Sequence, residues 1–205
     1  MNTSTSSLKT VGALLFPNFE LLDVAGPLEM LGNLPDKLKI VTVAEKSGLV
    51  CSSQGISILA DFDIKNVPHI DYLFIPGGMG TRQEIYNQAL INWIKDCSQH
   101  ADFTLTVCTG AALLAKTGLL DGRSATTNKL AFNWVVEQHP AVHWVVKARW
   151  VTDGNIISSS GVAAGIDMSL YFIECLYGFE TSQSLAKKTE YRWSHDAQDD
   201  PFAPS

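Results

Sequence analysis

The sequence predicts an α/β protein with a mostly parallel sheet covered by helices on both faces, and three observations predict it. Short apolar runs of strand length alternate with segments of helical periodicity along the chain. Several of the runs stop at glycine- or proline-rich turns, as at Pro76-Gly77-Gly78. The stretch from Phe103 through Val107, Cys108 and Thr109-Gly110-Ala111-Ala112 reads as strand, sharp turn and helix. That order sets residue 108 at the carboxyl end of a strand, where open α/β sheets bind their ligands.

Taken in order, residues 11–16 form an apolar run ending at Pro17, short enough for a buried first strand. A helix is expected over 21–34. Pro27 fits only a first helical turn, so the segment from Asn18 to Pro27 is expected to be loop before helix. Residues 39–44 alternate into a second strand, and 51–59 read as a hairpin around Gln54-Gly55. Residues 73–75 make another buried strand. From Gln83, the positions Ile85, Ala89, Leu90, Trp93, Ile94 and Cys97 keep helical spacing ahead of the strand that carries Cys108. The helix after Cys108 ends at Leu119-Leu120-Asp121-Gly122, followed by a short strand at 124–127 and a helix near 130–138 closed by Pro140. Residues 145–151 and 156–158 flank Asp153-Gly154 as a hairpin. The longest helix is expected at 161–177, with Val162, Ile166, Leu170, Ile173 and Tyr177 on one face, and a weaker one at 181–193. The organisation expected is a disordered lead at 1–8, a single domain at 9–195 and an irregular tail at 196–205.

The chain has 205 residues, 46% of them hydrophobic and 18% charged, which suits one compact domain with a sizeable core. The net charge of −6 and the lack of any basic cluster remove the electrostatic footprint of a nucleic-acid binder. No apolar signal region or membrane-length run is present, so a cytoplasmic protein with no membrane partner is expected. Cys51, Cys97, Cys108 and Cys175 are scattered without C-x-x-C spacing, as free thiols in a reducing compartment would be.

Among them, Cys108 has the setting for chemistry. The following helix N-terminus favours negative charge and is expected to lower its pKa. The turn has half of the G-x-nucleophile-x-G elbow pattern: Gly110 follows, but Thr106 occupies the place of the first glycine. The competing reading is a buried cysteine serving as a small hydrophobe. Asp23, by residue type alone, reads as a helix N-cap. Gly77-Gly78-Met79-Gly80 lacks the lysine of a phosphate loop and reads as a tight turn. Arg82 is either an anion contact or a solvated helix-start arginine. His139 and His143 are separated by Pro140 and have no completing ligand, so no metal is expected. The five tryptophans read as core or interface residues, and Asp167 as structural.

Five stretches then go beyond fold class: LLDVAGP at 21–27, FIPGGMG at 74–80, VCTGAALLA at 107–115, RWVTDGN at 149–155 and SSGVAAGID at 159–167. Together they resemble the ThiJ/PfpI superfamily, whose fold is the flavodoxin-like three-layer sandwich shared with class I glutamine amidotransferase domains. Within it the chain is most similar to the isonitrile hydratase branch, in which the elbow cysteine is followed by threonine and faced by an aspartate from an L-D-x-x-x-P loop. The resemblance therefore implies Cys108, Asp23 and Thr109 as catalytic residues, with the Gly77 and Gly78 turn and the Thr109 amide binding substrate charge. It implies hydration of an isonitrile to an N-substituted formamide, no cofactor, a small-molecule substrate and a homodimer to which Phe202 contributes. Protease-like and glyoxalase-like members place histidine after the cysteine; Thr109 stands there instead, so a hydrolase of that kind needs His100, His139, His143 or His195 from elsewhere. A redox-sensing protein acting through oxidation of Cys108 is the alternative from another class. A fused helix-turn-helix module would need roughly another hundred residues, and none is expected after Ser205.

Overall fold

The computed structural model describes residues 8–203. Of the lead expected at 1–8, all but Leu8 lies outside the described residues, as do the last two residues of the tail. Strand β1 (Lys9–Leu14) leads into helix α1 (Leu21–Gly32) and then β2 (Leu38–Ala44). A hairpin of β3 (Gly48–Cys51) and β4 (Ser57–Ala60) leaves the main sheet, and β5 (Phe62–Asp63) returns to its edge. Next come β6 (Tyr72–Ile75), α2 (Thr81–Glu84), α3 (Gln88–His100), β7 (Phe103–Val107) and α4 (Gly110–Lys116). β8 (Ser124–Ala125) pairs with β9 (His143–Trp144) across α5 (Phe132–Gln138). The hairpin β10 (Trp150–Asp153) and β11 (Ile156–Ser159) precedes α6 (Ala164–Tyr177) and α7 (Phe179–Lys188).

The main sheet has seven strands in the order β10-β11-β7-β6-β1-β2-β5, with every neighbouring pair parallel except β10 and β11. Side chains alternate between two cores as strand geometry requires. On β6, Leu73 and Ile75 face Leu90, Ile94 and Leu113, whereas Tyr72 and Phe74 face Leu31, Met168 and Phe172. Burial on both faces is why β6 is apolar throughout. From β1 the chain moves outward to β2, but from β6 it moves the other way to β7. This reversal opens a crevice beyond the carboxyl ends of β1 and β6.

The expected loop before Pro27 is instead helical: Pro27 lies inside α1. Its ring packs where α1 crosses α6, against Gly165, while Gly26 sits against Ile166. A close helix crossing here outweighs the roughly 3 kcal/mol that proline costs a helix interior. The helix expected from Gln83 is two helices, and Asn87 caps the second by accepting a hydrogen bond from Leu90 N–H at 3.2 Å. Strand pairing expected from residue 145 begins at Trp150, and the last helix ends at Lys188 rather than Trp193.

Asp167 is buried and holds Arg149 as an ion pair while accepting from Ser194 N–H at 2.9 Å, so it ties α6 to two loops. Residues 196–203 form turns and pack back on the sheet's carboxyl end. Arg149 N–H donates to the Ala197 carbonyl at 2.7 Å. The buried Asp200 carboxylate accepts from Ser160 Oγ at 2.8 Å and pairs with Lys129 Nζ at 3.4 Å. No helix among the described residues is long and apolar enough to cross a membrane.

A Cβ placed on Gly110, at the start of α4, would lie 2.3 Å from the Ile75 carbonyl oxygen and 2.7 Å from that of Pro76. Both are backbone atoms and neither can rotate away. Alanine gains about 1 kcal/mol of helix propensity over glycine, but overpacking a rigid seam costs about 1–3 kcal/mol, occasionally more. Gly110→Ala is expected to destabilise the protein by about 1 kcal/mol net in urea denaturation; a gain in stability would mean that α4 stands free of the β6 turn.

Candidate active site

Three turns meet in the crevice, following β1, β6 and β7. The last places Cys108 at φ 55°, a left-handed conformation unusual for a side-chain-bearing residue. It is held there from both ends: its N–H donates to the Ser160 carbonyl at 2.9 Å, and its carbonyl accepts from Thr127 Oγ1 at 2.8 Å. Such a backbone costs on the order of 1–3 kcal/mol and persists where the surroundings over-determine it. The result is a nucleophile elbow with threonine at the first glycine position. The second glycine, Gly110, is required by contact with the β6 turn. A Cβ on Gly77 would likewise fall 2.5 Å from Thr109 N and 2.9 Å from Cys108 Cβ, so the β6 turn runs directly against the elbow.

Asp23 is fully buried on α1. It does not cap that helix, whose N-cap is Glu20. One carboxylate oxygen, Oδ2, accepts from Gly77 N–H at 2.8 Å; the other, Oδ1, is buried without a hydrogen-bond partner among protein atoms. The Cys108 thiol lies beside this carboxyl group. Burial raises the Asp23 pKa to about 7, against the opposing pull of the Gly77 hydrogen bond.

The expected lowering of the Cys108 pKa is reversed. Burial first, and then the Asp23 charge, push the thiol well above its ordinary value, although the Thr109 amide pulls the other way. With Cys108 6% exposed, the loss of solvation outweighs the short α4 helix behind it. The two groups thus share one proton above pH 7, held by sulfur, with Asp23 ionised.

Thr109 and the glycine turn form one network. Gly78 N–H donates to Thr109 Oγ1 at 3.0 Å, and the Thr109 hydroxyl lies 3.2 Å from the Gly78 carbonyl. Thr81 Oγ1 donates to the same carbonyl at 2.7 Å. The amides of Gly77 and Gly78, expected as donors to substrate, are therefore engaged in orienting Asp23 and Thr109. The Thr109 amide, beside the Cys108 sulfur, favours its charged form. Arg82 is half-buried and engaged: its guanidinium stacks 4.5 Å over the Trp134 ring and donates to the Gly78 carbonyl at 3.3 Å.

The pocket over Cys108 has a volume of about 260 Å³. Of the residues expected from sequence, Gly78, Cys108 and Thr109 line it, while Asp23 and Gly77 lie behind them; Glu20, Asn128, Leu130, Ala131 and Val162 also line it, and no histidine does. Sequence offered one signal for Glu20, its position just before LLD, and none for the others, which arrive on later loops. Among the described residues no cluster of three or more histidine, cysteine or acidic side chains could hold a metal ion.

With this geometry in view, comparisons with known proteins agree on a family. The DJ-1/PfpI family model matches residues 9–175. Isonitrile hydratase of Pseudomonas putida is 33% identical over 181 residues, covering 88% of this chain and 78% of that protein. The HTH-type transcriptional regulator GbdR of Pseudomonas aeruginosa is 27% identical over 96% of this chain, which spans only 54% of the regulator. The crystal structure of a ThiJ/PfpI family protein from Pseudomonas syringae superposes with a TM-score of 0.83 at 26% identity, covering 95% of this chain and 81% of that one. Drosophila melanogaster DJ-1beta shares the fold, with a TM-score of 0.80 at 22% identity over 91% of this chain and all of that one.

Proposed function

Because the chain belongs to the DJ-1/PfpI family, in which its isonitrile hydratase relative has a named activity, we propose that it hydrates an isonitrile to an N-substituted formamide. The observation that carries this reading is the buried Cys108 and Asp23 pair with one proton between them and no histidine in the pocket. Addition of a thiol to R–N≡C forms a carbon–sulfur bond and a carbon–hydrogen bond at the same terminal carbon. A soft nucleophile and an adjacent proton carrier meet that requirement.

In the first step Asp23 carboxylate takes the Cys108 proton as sulfur attacks, then returns it to the carbon, leaving the thioimidate R–N=CH–S–Cys108. In the second, Asp23 takes a proton from water as hydroxide adds to the same carbon, and passes that proton to the nitrogen. Collapse releases R–NH–CHO and returns the proton to sulfur. The free Oδ1 of Asp23 is the oxygen available for both transfers, because Oδ2 is held by Gly77. The Thr109 hydroxyl, fixed by the glycine turn, orients the incoming water.

The alternative of oxidative sensing is disfavoured by the same facts. Peroxide reacts with the thiolate, and burial with the Asp23 charge beside it holds the resting thiol protonated, whereas addition to an isonitrile uses that proton. The direct test is conversion of cyclohexyl isocyanide to N-cyclohexylformamide by purified protein without added metal or nucleotide. Steady turnover supports the reading; well-folded protein that makes no formamide overturns it.

A further inference from the structure

The hairpin of β3 and β4 leaves the main sheet, and its tip lies against the loop that opens α1. Ser53 N–H donates to the Phe19 carbonyl at 2.8 Å and Ser53 Oγ to the Asn18 carbonyl at 2.8 Å, while Asn18 N–H donates back to the Cys51 carbonyl at 2.9 Å. Gln54 completes the contact with both ends of its amide: Oε1 accepts from Leu21 N–H at 3.0 Å, and Nε2 donates to Glu20 Oε1 at 2.8 Å. Resting on the hydration proposed above, we infer that Glu20 holds the water that attacks the thioimidate in the second step, and that Gln54 is the residue that positions Glu20.

Place is the first support. Glu20 is the one acidic side chain lining the 260 Å³ pocket over Cys108, whereas Asp23 is fully buried behind the pocket wall. Water reaching the thioimidate carbon arrives through that pocket, so it meets the Glu20 carboxylate before it meets Asp23. With Oε1 taken by Gln54, Oε2 receives no hydrogen bond from the described residues and is the acceptor left for that water.

Rigidity is the second. Glu20 N–H donates to the Gly77 carbonyl at 2.9 Å, and a Cβ on Gly78 would fall 2.4 Å from Glu20 N, so the β6 turn presses on Glu20 from the side opposite the hairpin. The Gln54 amide has one workable orientation: turned over, its NH2 would face Leu21 N–H and its oxygen the carboxylate. A carboxylate held this firmly fixes a water, and misplacing a reactant by about 1 Å can cost on the order of 10²-fold in rate.

Chemistry then separates the two steps. Addition of sulfur to the isonitrile consumes no water, so a water-holding group has nothing to act on until the thioimidate exists. In the second step Glu20 Oε2 accepts a hydrogen bond from one O–H of the water, while the other proton passes to Asp23 as oxygen bonds to carbon. Glu20 itself is not protonated. Its charge also bears on the first step, but in two directions that offset, making Asp23 a stronger base and the Cys108 thiol a weaker acid.

The test follows the two steps by rapid-quench mass spectrometry of the full chain mixed with cyclohexyl isocyanide. The thioimidate appears as an adduct on Cys108 and disappears on hydrolysis. Glu20→Gln keeps the size of the side chain and an oxygen for Gln54, but loses the charge. Its adduct is expected to form within about threefold of the native rate and to decay at least about tenfold more slowly, so that adduct accumulates and kcat and KM fall together. Gln54→Ala, at an exposed position outside the pocket, is expected to slow decay by at least about threefold with formation unchanged.

A smaller effect of Glu20→Gln on decay, or formation slowed as much as decay, overturns the role of Glu20, because general damage to the loop slows both steps. Unslowed decay in Gln54→Ala overturns the positioning role of Gln54. Native protein that gives neither adduct nor formamide sinks the hydratase reading and this inference with it. Native turnover with unslowed decay in Glu20→Gln sinks the inference alone.

Discussion

Cys108→Ala is expected to lower isonitrile hydration by about 10⁴-fold or more, as loss of a covalent nucleophile does when the residues act as a unit. The alanine keeps the Cβ and the same left-handed backbone, so the elbow and the hydrogen bonds to Ser160 and Thr127 have no reason to change. Cys108→Ser is expected to be nearly as poor, since a hydroxyl is a harder nucleophile and Asp23 is too weak a base to ionise it. The measurement is formamide production by gas chromatography, with circular dichroism to confirm folding. Activity in Cys108→Ala within tenfold of the native protein would remove covalent catalysis by this residue.

Asp23→Asn tests the other half of the pair and moves two quantities in opposite directions. Hydration is expected to fall by about 10²–10⁴-fold, the range for lost acid–base assistance. Asparagine still offers an oxygen to Gly77 N–H, so the turn stays in place. The native kcat/KM is expected to rise with pH through about 7 as Asp23 ionises, and the residual activity of the variant to lack that rise.

Stability carries the matching signature. The folded pKa is raised from 3.8 to about 7, so between those values the folded state retains a proton that the unfolded state has released. Native stability therefore falls as pH rises through that window and levels off above it. Asp23→Asn does not titrate, and is expected to be the more stable protein at pH 8, by a few kcal/mol at most, with the difference shrinking toward pH 4. Thermal melts at pH 4.5, 6 and 8 read it directly. A variant that is less stable than the native protein at pH 8 would show that Asp23 is there for packing rather than chemistry.

Much of this architecture was legible because its signals are local. Strands β1, β6 and β7 are four to six residues long, each with a proline or glycine within three residues of its carboxyl end, and the turn between β10 and β11 has Gly154 at φ 60° as such a hairpin needs. The elbow was legible from Phe103 to Ala112 for the same reason. The rest is decided by distant parts of the chain. The rule for an isolated helix places Pro27 in a first turn, but Gly165, far along the sequence, receives its ring. The Cys108 pKa was read from the adjacent helix, a short-range effect, whereas burial depends on everything packed around the thiol. The Gly77 and Gly78 amides were read as free donors because nothing local shows that Asp23 and Thr109 accept from them. Asn128, Leu130 and Val162 carry no local mark at all, since only the closed sheet brings their loops to the crevice.

The cleft is assembled from two separate lengths of chain. Glu20, Asp23, Gly77, Gly78, Thr81, Arg82, Cys108 and Thr109 all precede residue 110, and they interlock through backbone contacts that leave no room for a methyl group. The facing wall comes entirely from residues 128–202. Reactivity and selectivity are thereby encoded by different stretches of the gene. A mutational library confined to residues 128, 130, 131, 162, 163 and 202 can explore new substrates without disturbing the nucleophile, whereas one spread over the first stretch would be filled with unfolded or inert clones. For this scaffold, diversification of specificity is expected to outpace diversification of chemistry.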